Sequence, residues 1–165
     1  MRTFHRLVLA CLITLGGALP AAEGTAVSRV PLLVSGGTLA CMGVIDGRRG
    51  LLLIDSGAST TCLFPAQAKA GAYAWRKVRQ RCYTANGPCL VRRVADHAAI
   101  TVGGATYQAR DLAVLPEVGA PTAIGLLGCD FLLANRAVID LEHGALVLHP
   151  RAAATTAAVA RRAER

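Results

Sequence analysis

One carboxylate in this chain stands where a strand is expected to end. Asp55 follows the apolar run "LLLI" and precedes Ser56 and Gly57, two small residues. Because burying an unpaired carboxylate costs several kcal/mol, Asp55 is partnered, protonated or functional. Two such groups held close together share one proton, so one can activate water while the other acts as an acid. The motif therefore indicates acid–base hydrolysis, and the alternative is an aspartate that caps a turn in a non-catalytic β-domain.

Short apolar runs separated by turn residues surround this motif. The runs at 30–34, 38–45 and 51–55 are divided by "SGG" and "DGRRG", and later runs flank "TANGP", Gly103-Gly104 and "EHG". This spacing predicts an all-β domain of hairpins. Two stretches have helical character: "FPAQAKAGA" (64–72), which is the weaker, and "CDFLLAN" (129–135).

A second motif accompanies the first. In "AIGLLGCDFL" (123–132) an apolar stretch reaches Gly128 and enters the second helical segment. The segments "LLLIDSGAS", "TANG" and "AIGLLGCDFL" follow one another in this order within about residues 29–149. Together they resemble the retropepsin-like aspartic proteases. The resemblance implies an all-β acid protease lobe of the closed β-barrel type, with one short helix near the C-terminal end.

The resemblance also implies roles for residues. Asp55, Ser56 and Gly57 would be catalytic, with the Ser56 hydroxyl bonded across to a second chain. The resemblance further implies a supporting loop that contains Ala58, Leu127 and Gly128. It also implies a substrate-binding flap formed by Thr84, Ala85, Asn86 and Gly87. Retroviral members often carry an ion pair where Ser59 and Cys129 stand here, which leaves the dimer contacts of this chain open.

The implied activity is that of an aspartic endopeptidase acting on a peptide or protein substrate. The chain has one Asp-Ser-Gly motif, so the second Asp55 has to come from a second copy, and activity is expected to require a homodimer. The alternative is a non-catalytic peptide-binding or scaffold module of the same fold, and a third interpretation is a processing factor for one dedicated partner. No cofactor is expected.

The ends of the chain differ from the body. Residues 1–22 have the basic start, short apolar run and small residues of a secretory signal, with an uncleaved anchor as the alternative. Residues 23–150 would form the protease domain, without a stable membrane span after cleavage, and 151–165 a basic, disordered tail. The composition is rich in Ala, Gly and Arg and poor in Lys, which suggests a bacterial genome of high GC content. We therefore expect the exported protein to reach the bacterial periplasm, or to be secreted.

The basic residues are concentrated in one part of the chain. The net charge is +8, but the leader and the tail carry much of it, so the body has no charge pattern typical of nucleic-acid binding. Within the body, half of the basic residues lie between 76 and 93. They are either a solvated hairpin face or a rim that attracts acidic peptides or anionic envelope polymers.

Five cysteines follow the leader, at 41, 62, 82, 89 and 129. Their number is odd, and no CxxC or His spacing suggests a metal site. If "TANG" is a four-residue loop, Cys82 faces Cys89 at a separation that permits a disulfide. If Asn86-Gly87 forms a two-residue turn instead, Cys82 faces Val91 and the bond cannot form. We favour the disulfide.

Overall fold

The structure is a computed structural model that describes residues 26–84, 87–116 and 122–150. Within these ranges the chain forms β-strands and two short helices. The strands are β1 (Ser28–Pro31), β2 (Leu33–Ser35), β3 (Thr38–Ile45), β4 (Arg48–Ile54), β5 (Cys62–Leu63), β6 (Trp75–Thr84), β7 (Gly87–Val102), β8 (Ala105–Ala113), β9 (Ala123–Leu127), β10 (Val138–Asp140) and β11 (Ala145–Leu148). The helices are α1 (Pro65–Ala70) and α2 (Cys129–Ala134).

The strands form two sheets. The larger sheet has the order β5-β9-β4-β3-β7-β6, with β2 paired to β3 and β8 paired to β7. The smaller sheet has the order β1-β11-β10, so strands from both ends of the body lie side by side. Most neighbours are antiparallel, but β4 and β9 run parallel, and β5 pairs with the other edge of β9 in the opposite direction.

Side-chain alternation divides the core into two clusters. The main cluster joins both sheets and includes Leu52, Ile100 and Phe131, which are almost fully buried. A smaller cluster on the other face of β4 and β9 includes Leu53 and Leu126. Because successive residues of a strand point to opposite faces, β4 contributes to both clusters and is covered on each side. The strand that carries Asp55 is therefore held rigidly.

The structure confirms the all-β prediction and corrects it in detail. The sheets are not closed into a barrel; the hydrogen-bonded path runs from β5 to β6 and branches at β3 and β7. The weaker helical stretch does form α1, which begins at Pro65, a favourable first helical position. The predicted strand over 30–34 is divided into β1 and β2 because the chain changes partners: β1 pairs with β11 up to Pro31, and β2 pairs with β3 from Leu33.

The long strand β7 is a further difference. The apolar runs after "TANGP" and before Gly103-Gly104 predict two strands, over 89–95 and 97–102, but β7 runs without a break from Gly87 to Val102. Among the described residues, no helix has the length and hydrophobicity needed to cross a lipid bilayer. The predicted leader (1–22) and the whole of the predicted tail (151–165) lie outside the described residues.

Candidate active site

Asp55 lies immediately after β4, beside the parallel strand β9. Its backbone N–H donates to Leu127 O at 3.0 Å, which continues the β4–β9 ladder by one residue. The residues before it, Leu52 to Ile54, are buried. The carboxylate is thus held at the end of a strand that is packed on both faces, as the sequence predicted.

The loop after Asp55 turns back on the carboxylate. The Gly57 N–H donates to Asp55 Oδ1 at 2.8 Å, and the Ala58 N–H donates to Asp55 O at 3.2 Å. A Cβ added to Gly57 would lie 3.2 Å from the same carboxylate oxygen, so a small residue is favoured there. Ser56 and Gly57 are exposed at the tip of the loop. This turn orients the carboxylate through backbone atoms and leaves the Ser56 side chain at the surface.

A buried network lies behind the loop. Asp130 Oδ1 accepts hydrogen bonds from the Thr61 N–H at 2.8 Å, the Thr61 hydroxyl at 2.7 Å and the Phe131 N–H at 2.8 Å. The Thr61 hydroxyl in turn accepts from the Gly128 N–H at 3.1 Å. Thr61 therefore links the chain after Asp55 to the start of α2. Asp130 has a structural role at the start of that helix.

Gly128 brings the two loops into direct contact. A Cβ at this position would lie 2.4 Å from the backbone carbon of Thr60, so no other residue fits without moving the chain. The next residue completes the junction: the Cys129 N–H donates to Ala58 O at 2.8 Å, and its thiol donates to Ser56 O at 3.1 Å. Cys129 thus contacts main-chain oxygens of the Asp55 loop through both its N–H and its thiol. It stands at one of the two positions where the sequence lacks the ion pair of retroviral members.

The β6–β7 hairpin closes a cavity above Asp55. The cavity has a volume of about 500 Å³. Its lining comes from the Asp55 loop, the hairpin, the small core cluster and the segment after β8. These lining residues are Thr38, Leu53, Asp55, Gly57, Ala58, Phe64, Tyr83, Thr84, Gly87, Pro88, Cys89, Leu115, Pro116 and Leu126. The hairpin thus lies where a flap would lie.

The predicted flap residues are only partly described. Thr84 and Gly87 line the cavity, and the Thr84 hydroxyl donates to Gly87 O at 3.0 Å. Ala85 and Asn86 lie outside the described residues. Of the predicted supporting residues, Ala58 lines the cavity, whereas Leu127 and Gly128 lie behind it and position the loop.

The hairpin register confirms the predicted disulfide. Tyr83 pairs with Pro88 and Thr84 with Gly87, which places Cys82 directly opposite Cys89. The two cysteines are disulfide-bonded, with a Cα–Cα separation of 5.3 Å. Because Cys89 also lines the cavity, the bond ties together the two strands that cover Asp55.

The other cysteines of the described residues are reduced. Burial raises the pKa of the Cys41 thiol to about 12. Burial also raises the pKa of Cys62 to about 11, although its thiol donates to Thr60 O. Thiolates are the reactive form of cysteine, so neither group is activated as a nucleophile. Within the described ranges, no three His, Cys, Asp or Glu side chains come together as a metal site.

Sequence reasoning missed most of the cavity wall. Leu53 and Leu126 line the cavity, although their neighbours Leu52 and Leu127 belong to the main core. Strand alternation carried this signal, since Leu53 points away from Leu52. The contributions of Leu115 and Pro116 had no comparable signal, because the segment after β8 reaches the cavity only through tertiary structure; the Leu115 N–H donates to Leu63 O at 3.0 Å.

The structure thus places the Asp-Ser-Gly loop at the end of a packed strand, beside the parallel strand β9 and beneath the β6–β7 hairpin. Residues 41–131 match the aspartyl protease family. The chain belongs to this family, and its fold is retropepsin-like. No protein with a curated description matches the chain in sequence.

Solved structures support the assignment of the fold. The retroviral protease-like domain of Ddi1 from Leishmania major is 17% identical, with a TM-score of 0.51, over 75% of this chain and 99% of that domain. A retropepsin-like aspartic protease from Rickettsia conorii is 18% identical, with a TM-score of 0.50, over 78% of this chain and 95% of that protein. At these identities the likeness concerns the fold.

Proposed function

We propose that this protein is an exported aspartic endopeptidase in which two copies each contribute Asp55 to one active site. The observation that supports this most directly is the position of Asp55 in the cavity of about 500 Å³ beneath the β6–β7 hairpin. Its surroundings are largely apolar, with Leu53, Phe64 and Leu126 close by. A peptide in this cavity would lie between the carboxylate and the hairpin.

The need for a second copy follows from the number of carboxylates. Among the described residues that line the cavity, Asp55 is the only acidic one. Asp130 is not available as a partner, because one of its oxygens accepts three hydrogen bonds behind the loop. Ser56 and Gly57 are exposed, so a second copy can approach the loop tip. A two-fold axis beside this loop would bring the two Asp55 carboxylates together.

The paired carboxylates would supply both proton-transfer steps. Two carboxylates in close contact cannot both ionise readily, so the pair holds one proton and titrates as a unit. The ionised member removes a proton from water, and the resulting hydroxide attacks the scissile carbonyl carbon. The protonated member donates to the carbonyl oxygen, and a later proton transfer to the amide nitrogen releases the amine. Activity should therefore favour acidic pH.

Export is part of the proposal. The leader-like sequence over 1–22 is the primary reason. The Cys82–Cys89 disulfide supports it, since disulfides persist mainly in oxidising compartments. We propose the bacterial periplasm as the destination, with secretion as the alternative, and 23–150 as the protease domain of the mature protein.

The test uses purified residues 23–165 and a mixed peptide library at acidic pH. Wild type should cleave, and Asp55→Asn should not, because the amide keeps the size of the side chain but cannot act as a base. Glu142→Gln is the control, since it removes an exposed carboxylate outside the cavity. At concentrations below the dimer dissociation constant, the rate should rise faster than linearly with protein. Analytical ultracentrifugation checks the dimer.

Mixing the two forms gives a second readout. If subunits exchange, Asp55→Asn should reduce wild-type activity through inactive heterodimers. Cleavage by a strict monomer, or an unchanged rate in Asp55→Asn, would contradict the paired mechanism. Peptide binding without turnover under every condition would favour the non-catalytic binding module instead.

A further inference from the structure

The β6–β7 hairpin has an excess of positive charge. Six basic side chains lie on it: Arg76, Lys77, Arg79, Arg81, Arg92 and Arg93. Arg76 is neutralised by ion pairs with Asp96 and Asp111. Within the described residues the other five form no ion pair. All five are exposed, so the hairpin presents a field of uncompensated positive charge.

Apolar side chains lie among these charges. Tyr83 is 85% exposed and Leu90 is 39% exposed. The guanidinium of Arg93 lies 4.3 Å from the centre of the Trp75 ring, a cation–π contact that fixes its position. Exposed rings and aliphatic groups beside cations are suited to binding a polypeptide, which offers both apolar and anionic groups.

The charged face is continuous with the cavity above Asp55. Tyr83, Pro88 and Cys89 line that cavity and also line a shallow depression that contains Arg79 and Arg81. A second depression shares Arg79 with the first and extends to Lys77, Arg92 and Arg93. A path of basic residues therefore runs along the hairpin from the edge of the cavity.

We propose that this path, which we call the basic track, binds an acidic segment of the substrate. This segment is next in sequence to the substrate residues that enter the cavity. The inference rests on the proposed function, and it assigns the substrate class as polypeptides with acidic residues on one side of the scissile bond. From Tyr83 to Lys77 the strand spans about 20 Å at about 3.3 Å per residue, so the track accommodates about six extended residues.

A protective role would account for the charges, but not for their continuity with the cavity above Asp55. Outer strands often carry basic residues that prevent them from pairing with other chains. β6 is the outermost strand of its sheet, so this reason covers Lys77, Arg79 and Arg81. Over Gly87 to Arg93 the other side of β7 has no partner strand among the described residues, because β8 joins it from Val94 and β3 at Ile100 and Thr101. The same reason therefore extends to Arg92 and Arg93. Protection of strand edges does not require the charged surface to be continuous with the cavity above Asp55, whereas binding of a substrate chain does.

The continuity with the cavity favours a polypeptide over other polyanions. A nucleic acid or an anionic lipid surface would be attracted by the same charges. Neither requires a route from the basic track to Asp55, whereas a substrate chain leaving the cavity past Tyr83 meets Arg81 and Arg79 next. The substrate interpretation is thus the one that uses both observations.

The first test measures binding without turnover. Asp55→Asn protein is titrated into two fluorescent 12-residue peptides that share one core, one with a flanking run of Glu and the other with Gln. The Glu peptide should bind about tenfold more tightly at low salt. The difference should nearly vanish at 1 M salt, where charges are screened beyond about 3 Å.

Two charge-matched variants locate the effect. The track variant is Arg79→Gln/Arg81→Gln/Arg92→Gln, and it should lose the preference for the Glu peptide. The control variant is Arg49→Gln/Lys69→Gln/Arg110→Gln, which removes the same charge from exposed positions outside the track, and it should keep most of the preference. Equal binding of the two peptides, or an equal effect of both variants, would overturn the proposal.

A turnover arm separates this inference from the proposed function. With Asp55 intact, the track variant should raise KM for the Glu peptide about tenfold while kcat stays unchanged, because the track contacts no reacting atom. If no peptide is cleaved, the endopeptidase proposal fails, but the binding arm still decides whether the track recognises acidic chains. Stronger binding to vesicles containing anionic lipid, or to single-stranded DNA, than to the Glu peptide would also overturn it.

Discussion

Replacing Thr61 by valine tests whether the network behind the Asp55 loop holds the fold together. Valine keeps the shape of threonine but removes the hydroxyl that bonds Asp130 at 2.7 Å and accepts from Gly128 at 3.1 Å. A hydrogen bond to a charged group is worth about 1.5–3 kcal/mol, and a buried N–H left unpaired costs about 1–3 kcal/mol. Both effects involve one side chain and do not simply add, so we expect a loss of about 2–4 kcal/mol in the free energy of unfolding.

Urea unfolding at one fixed protein concentration provides the measurement. Thr60→Val is the matched control, because Thr60 is the exposed neighbour, and it should change the free energy of unfolding by no more than about 0.5 kcal/mol. Cleavage by Thr61→Val should also decrease under conditions where the protein remains folded, since the hydroxyl joins the two loops beside Asp55. If both variants lose the same stability, the network is not what connects these loops.

Three further predictions concern other positions. Cys41 and Cys62, whose pKa values burial raises to about 12 and about 11, should resist alkylation by iodoacetamide at pH 8 until urea unfolds the protein; rapid labelling of the native protein, seen by mass spectrometry, would contradict this. Gly128→Ala should cost about 1–3 kcal/mol or more in urea unfolding, because its Cβ would lie 2.4 Å from a backbone carbon; unchanged stability would show that the loops can separate without cost. His143 lowers the pKa of Asp140 below 3.8, mainly through its backbone N–H and further through its ring. The stability that Asp140 contributes should therefore be fully present above the pKa of the unfolded chain, and it should be lost as the pH falls through the lower pKa of the folded protein. An NMR titration should place the Asp140 midpoint below 3.8, His143→Ala should restore it only in part, and a midpoint at or above 3.8 would refute the assignment.

Local patterns predicted the elements whose ends depend on local chemistry. The strand expected over 38–45 is β3 with the same bounds, followed by a turn at Asp46-Gly47. Both Asp46 and Gly47 have positive φ, which is the conformation that tight hairpin turns require. Asp55 was located in the same way, because an apolar strand followed by a small-residue turn is a local signal.

The features that the sequence did not predict depend on pairing between distant segments of the chain. β7 continues through Asp96 because it changes partners there: Val94 and Ala95 pair with β6 on one side and with β8 on the other. The contact between Thr61 and Asp130 spans 69 residues. Neither composition nor periodicity specifies which distant segments meet, so the network behind the loop and the wall of the cavity became visible only in the folded chain.

The small sheet has a mechanical consequence. β1 and β11 are antiparallel neighbours, and Ser28, at the start of β1, lies opposite Leu148, at the end of β11. Whatever precedes and follows the body therefore departs from one point. A force that pulls the two ends apart would load the hydrogen bonds of this pair one after another, as a zipper opens, and not all together in shear. Under tension the β1–β11 pairing should therefore open first, starting from Ser28 and Leu148.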